Sequence, residues 1–288
     1  MPMINVLGIP HAYDLTLATG STDALVFIHG WLLSRSYWQP LIDQLSPSYQ
    51  CLSYDLRGFG ASQLDPLVAT PARSCAGYSL LDYAKDLAIL LKQLEIANVW
   101  LVGHSLGGSI ALWAADQLPH LVKGVICVNA GGGIYLKEEF ERFRAAGQQL
   151  AKFRPRWLKW LPLLDVLFAR ANVIQKLDRH WGQQRLLDFV MADTEAVLHS
   201  LLDSTTEAEV HRLPQIVARL AQPVYFIAGA QDRVMEPKYV RHLASFHPLF
   251  HECGDNVFEI PACGHLAMLE QPNLVAEKVR LILAGHVQ

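Results

Sequence analysis

The sharpest chemical signal in the chain is Val102-Gly103-His104-Ser105-Leu106-Gly107-Gly108, a G-x-S-x-G pattern between a strand-like and a helix-like run. A serine held on a tight strand-to-helix turn exposes its hydroxyl, and its strained backbone needs small neighbours two positions away on either side, here Gly103 and Gly107. The N–H of Leu106 would then point at a developing oxyanion, assisted by the positive end of the helix. A serine hydroxyl is a poor nucleophile at neutral pH, so it requires a base and an acid that orients the base.

Twelve histidines compete for the role of base. His265 stands out because Pro261-Ala262-Cys263-Gly264-His265 follows the last strand-like run, at the carboxyl end where parallel sheets place catalytic groups. His29 and His104 read as motif residues whose backbones matter more than their rings, and the other nine, His11 and His247 among them, as surface or cap residues. For the orienting acid, Asp232 is the only carboxylate in the turn Gly229–Val234. It would accept from the histidine ring, fix its tautomer and stabilise the imidazolium. An aspartate there could equally be a helix N-cap.

The elements that must position these residues alternate along the chain. Strands are predicted at Ala24–His29, Tyr49–Asp55, Val99–Gly103, Val122–Asn129, Pro223–Gly229 and Val257–Ile260. Helices are predicted at Tyr37–Leu45, Tyr78–Ile96, Leu106 to about Leu118, Pro237–Phe246 and Asn273–Ala284. Such alternation implies an α/β fold with a mostly parallel central sheet flanked by helices, and the first ~20 residues could add an antiparallel hairpin at one edge. Residues 130–222 carry mainly helical pattern without a strand. They read as a helical cap inserted into a core made of 1–129 and 223–288.

Composition narrows the function. Hydrophobic residues make up 51 % and charged residues 18 % of 288, enough for a sizeable core. A net charge of −3 leaves no electrostatic footprint for nucleic acid. The five cysteines (Cys51, Cys75, Cys127, Cys253, Cys263) lack CxxC or zinc-finger spacing, so neither a disulfide framework nor a metal site is expected, and a reducing, cytoplasmic setting fits. The N-terminus lacks the cationic start and apolar run of a secretory signal, and no apolar run is long enough to span a bilayer.

With these motifs in order, the chain resembles the α/β-hydrolase superfamily over nearly its whole length. His29-Gly30-Trp31 is similar to that family's HGx oxyanion-hole loop, and Asp55-Leu56-Arg57-Gly58-Phe59-Gly60-Ala61-Ser62 to its D-x-R-G-x-G-x-S turn. The resemblance implies a Ser105–Asp232–His265 triad, with the Trp31 N–H as second oxyanion donor beside Leu106. Asp55 and Arg57 read as a turn-locking pair. Haloalkane dehalogenases and epoxide hydrolases of the superfamily carry Asp at the nucleophile position, where this chain has Ser105.

The expected activity is cleavage of a carboxylic ester of apolar character through an acyl-enzyme, without cofactor or metal. The alternative is a lyase of the 2-succinyl-6-hydroxy-2,4-cyclohexadiene-1-carboxylate synthase type, which resembles the chain around VWLVGHSLGG and uses its triad to abstract a proton. That enzyme tends to have Tyr and Arg where this chain has His104 and Ser109. Between Lys137 and Arg185 there are 11 Lys/Arg against 5 Asp/Glu, a local net of +6. Within that span Ala151–Ala171 mixes Phe153, Trp157, Trp160, Leu163, Leu164, Leu167 and Phe168 with Arg154, Arg156 and Lys159, and Pro155 and Pro162 interrupt any long helix. It reads either as a cap helix packed on the core with a solvated basic face, or as a lid that touches an anionic membrane and admits a lipophilic ester.

Overall fold

The computed structural model describes residues 1–63, 77–131, 137–251 and 254–286, and only the backbone of 137–140 and 143. Cys75 and Cys253 lie outside the described residues; Cys51, Cys127 and Cys263 are buried free thiols.

The strands are β1 (Met3–Val6), β2 (Ile9–Leu15), β3 (Ala24–Ile28), β4 (Gln50–Tyr54), β5 (Val99–His104), β6 (Val122–Val128), β7 (Val224–Gly229) and β8 (Val257–Ile260). They form one eight-stranded sheet in the order β1-β2-β4-β3-β5-β6-β7-β8. β1 and β2 are the antiparallel hairpin at the edge, turned at Leu7 and Gly8, both of positive φ; β2 pairs antiparallel with β4 and every later pairing is parallel.

Alternation along the central strands divides the core in two. Val26, Ile28, Val99 and Leu101 pack on one face of the sheet, Leu25, Phe27, Trp100 and Val102 on the other. The first face is covered by α2 (Leu80–Gln93) and α3 (Leu106–Gln117), the second by α1 (Gln39–Leu45) and α11 (Pro272–Ala284). α2 is shorter than the predicted Tyr78–Ile96 because Ser79 and Asp82 close a capping box at its start and Glu95 turns to a positive φ (55°) just past its end.

Between β6 and β7 the chain is helical: α4 (Lys137–Lys152), α5 (Leu164–Arg170), α6 (Arg179–Met191), α7 (Thr194–Ser204) and α8 (Glu207–Arg219). Pro155 and Pro162 break this run as expected: α4 ends before the first, and only a 3-10 turn, Arg156–Trp160, lies between them. α9 (Pro237–Ala244) and the short α10 (Ala267–Glu270) complete the helices used below.

Asp55 and Arg57 both lock the turn, each through partners of its own. Asp55 accepts from Arg35 Nη1 (2.6 Å) and from the N–H groups of Arg35 and Ala61. Arg57 instead donates through Nε and Nη2 to Asp86 of α2, so each residue locks the turn to a different neighbour. His11 and His247, expected at the surface, are buried.

Candidate active site

The sheet order decides where chemistry can occur. Connections from β3 run to β4 on one side and, after β4, back to β5 on the other, so the loops after β3 and β5 open a crevice between them at their carboxyl ends. In-register pairing of Ile28 with Gly103 brings Gly30-Trp31 beside Ser105-Leu106. Ser105 has φ 51 and ψ −118, a backbone state costly for any residue with a Cβ, and its N–H is held by the Val128 carbonyl at 3.0 Å. The flanking glycines are sterically required. A Cβ on Gly103 would lie 2.3 Å from the Gly107 carbonyl oxygen, and one on Gly107 would lie 2.2 Å from that of Ile28.

The loops after β7 and β8 meet at the same rim, where Gly229 is in register with Ile260. There the His265 Nδ1–H donates to Asp232 Oδ2 at 2.7 Å, which leaves Nε2 as the basic nitrogen. The other carboxylate oxygen of Asp232 accepts from the N–H groups of Val234 (2.8 Å) and Met235 (3.0 Å). Burial raises the Asp232 pKa, but the His265 charge and these hydrogen bonds outweigh it, so the carboxyl titrates below its ordinary value. Asp232 thus orients His265, and also caps its own turn.

Ser105, Leu106, Trp31 and His265 line one cavity of about 610 Å³, walled mostly by apolar side chains. Leu33, Leu150, Phe168, Phe189, Leu201 and Met235 belong to this wall. The Trp31 ring nitrogen donates to the Val197 carbonyl at 2.9 Å, which ties the loop after β3 to α7. Arg185 is the one arginine in the wall. Its Nη1 donates to the carbonyl oxygens of Phe168 and, at 2.8 Å, Ala171, while burial lowers its pKa.

The rings of His29 and His104, expected to matter less than their backbones, both make buried hydrogen bonds. His29 Nε2 accepts from the Leu56 N–H at 2.9 Å while Nδ1–H donates to the Gly30 carbonyl, so this neutral ring joins the loop after β3 to the turn after β4. His104 Nε2–H donates to the His265 carbonyl at 2.7 Å; its Nδ1 is buried without a partner, and a Cβ on Gly30 would lie 2.6 Å from it. Burial, followed by the neighbouring His265, pushes the His104 pKa down to about 3.

Two more residues at the site escaped the motifs. Asn129, at φ 49 after β6, donates from Nδ2 to Asp232 Oδ2 (2.9 Å) and to the Gly264 carbonyl (3.0 Å). Glu270 accepts from the N–H groups of Gly264, Leu266, Ile174 and Gln175, which pins the His265 loop to the segment between α5 and α6. A left-handed Asn at the carboxyl end of a strand was a readable local signal; the Glu270 contacts were not.

The family model described as alpha/beta hydrolase fold matches residues 23–272. The chain belongs to the α/β-hydrolase family. It is 29 % identical over 277 residues to a pimeloyl-acyl-carrier-protein methyl ester esterase of Xanthomonas axonopodis pv. citri, covering 92 % of this chain and 97 % of that one. It is 28 % identical over 268 residues to a 2-succinyl-6-hydroxy-2,4-cyclohexadiene-1-carboxylate synthase of Salmonella newport, covering 91 % and 94 %. A thermophilic esterase from Thermogutta terrifontis shares the α/β-hydrolase fold with a TM-score of 0.75 at 22 % identity, over 99 % of each chain.

Proposed function

We propose that this α/β-hydrolase is a serine esterase that cleaves a carboxylic ester of moderate to large apolar bulk. The observation that carries the reading is the buried Asp232–His265 hydrogen bond behind a cavity whose wall includes both His265 and Ser105. With Nδ1–H committed to Asp232, His265 Nε2 takes the proton of Ser105 Oγ as that oxygen attacks the ester carbonyl. The tetrahedral oxyanion is received by the N–H groups of Leu106 and Trp31; Leu106 opens α3, where backbone N–H groups have no partner in the preceding turn. His265 then protonates the departing alcohol, and water, activated by the same imidazole, releases the acid from Ser105. The helical segment 130–222 acts as a lid over the cavity, keeping water out and offering the ester an apolar wall. Each CH₂ buried there contributes about 0.8 kcal/mol.

The pimeloyl-acyl-carrier-protein methyl ester esterase relative is an esterase of a methyl ester, which supports this reading. The synthase relative and Arg185 in the wall favour a second reading, proton abstraction from an anionic substrate. Profiling against p-nitrophenyl esters of graded length beside a pyruvate-release assay separates them. The esterase reading expects turnover that rises with acyl length and labelling of Ser105 by a fluorophosphonate; pyruvate release without ester cleavage would overturn it.

A further inference from the structure

Among the described residues, seven of the sixteen exposed large apolar side chains fall between Leu150 and Leu167, each 43–77 % exposed. None of the five residues of the 3-10 turn Arg156–Trp160 is buried, and Trp157 and Trp160, three residues apart on that turn, eclipse on one face. Phe153, Leu161, Leu163 and Leu167 continue the exposed apolar stretch on either side.

The charges around it have one sign. Lys152, Arg156, Lys159 and Arg170 are exposed, and the Lys159 ammonium lies 5.0 Å from the centre of the Trp160 ring. Between residues 152 and 170 the only carboxylate is Asp165, which is buried and paired with Arg179 at 2.6 Å. Arg154, the one buried cation here, is spent on structure: it donates to the carbonyl oxygens of Ala151, Phe189 and Ala192 and anchors the segment to α6. Leu150 and Phe168, at the ends of the segment, also line the catalytic cavity.

We propose that this surface docks on an anionic lipid bilayer, with the tryptophans and leucines in the headgroup–acyl boundary and the four cations on lipid phosphates. The basic side chains need an anionic surface and the tryptophans and leucines beside them need an apolar one; the headgroup–acyl boundary of an anionic bilayer supplies both side by side. No helix among the described residues is long and apolar enough to cross a membrane, so the contact is peripheral. If the cavity is the esterase site proposed above, docking places its rim where an ester dissolved in lipid can enter; the binding itself does not depend on that reading.

The test is sedimentation of the full chain, without substrate, with phosphatidylcholine vesicles and with vesicles that also contain phosphatidylglycerol. Wild type should pellet with the anionic vesicles only, and less so at high salt, as the screening length contracts. Arg156→Gln with Lys159→Gln should weaken partition about 25-fold, since each cation near a strongly anionic surface is worth about fivefold. Trp157→Ala with Trp160→Ala should weaken it at least about tenfold. Neither tryptophan lines the cavity, so hydrolysis of a short p-nitrophenyl ester in vesicle-free buffer should stay at the wild-type rate, showing that the variant is folded. Wild type that remains in the supernatant with both vesicles, equal binding to both, or a tryptophan variant that binds like wild type would each overturn the proposal. Wild type that binds the anionic vesicles but turns over no ester would count against the esterase reading alone.

Discussion

Acid should weaken the folded state through His104. Its side chain is buried, Nε2–H is held by the His265 carbonyl and Nδ1 has no partner, so the folded ring resists protonation down to a pKa of about 3. In the unfolded chain the same ring titrates near its ordinary value of about 6.5. Below that pH the unfolded state binds the proton and the folded state does not, so the stability associated with His104 is complete above pH 6.5 and is lost as the pH falls toward 3. At 1.36 kcal/mol per unit the loss is about 2 kcal/mol at pH 5 and about 3 kcal/mol at pH 4. Asp188 acts in the opposite sense: burial raises its carboxyl to about 6, so the folded state gains a proton first and recovers stability over part of the same window. The raw acid profile of wild type is therefore undiagnostic, but its difference from His104→Gln cancels Asp188. Urea unfolding followed by tryptophan fluorescence, at several pH values from about 7 to about 4, should show the wild-type advantage shrinking by about 3 kcal/mol. A difference that stays constant across that range would refute a neutral, acid-resistant imidazole at this position.

Four other substitutions probe distinct parts of the structure. Ser105→Ala should keep the fold and lower ester turnover by at least about 10⁴-fold, and Asp232→Asn by about 10³–10⁴-fold, measured with a p-nitrophenyl ester beside circular dichroism. Asn129→Asp keeps a residue tolerant of positive φ but turns a donor to Asp232 and Gly264 into a second buried carboxylate. It should cost about 3–5 kcal/mol in urea unfolding and depress kcat, and wild-type stability would exclude the bridging role. Arg57→Met leaves Asp86 buried with, among the described residues, the His11 ring 3.7 Å away as its remaining ion-pair partner, and should cost a similar ~3–5 kcal/mol, while kcat of the folded fraction, measured at low temperature, stays unchanged.

How much was legible in the sequence depended on how local its cause was. The parallel strands, the edge hairpin and the Ser105 turn could be read because apolar runs and glycines carry their own geometry: Gly103 and Gly107 are required by atoms within a few residues or on the adjacent strand. The start of α2 was also readable, since Ser79 and Asp82 stand at capping-box spacing. The ring of His104 was not, because its partner is a carbonyl 161 residues later, and Arg57 found Asp86 rather than Asp55 because α2 packs across the turn. Burial of His11 and His247 likewise follows from neighbours that the folded chain supplies.

The supports of the candidate site share one logic. His104, Asn129 and Glu270 each fasten the loop after β8, through the carbonyl of His265, the carbonyl of Gly264 and the N–H groups of Gly264 and Leu266. Three different elements thus fix the backbone on both sides of one imidazole, while Asp232 alone fixes its ring. Ser105, at the start of α3, is fastened separately through its own N–H to β6. The imidazole and the Ser105 turn are thus set by adjacent residues, since His104 precedes Ser105 and Val128 precedes Asn129. The helices between β6 and β7 are tied to the core at many polar points, among them Trp31 to Val197, Ser34 to Asp188, the Gly58 carbonyl to the Asp193 N–H, Trp113 to Glu209, Asp116 to Arg219 and Glu270 to residues 174 and 175. The wall of the cavity and the Asp232–His265 pair are therefore held to one common frame.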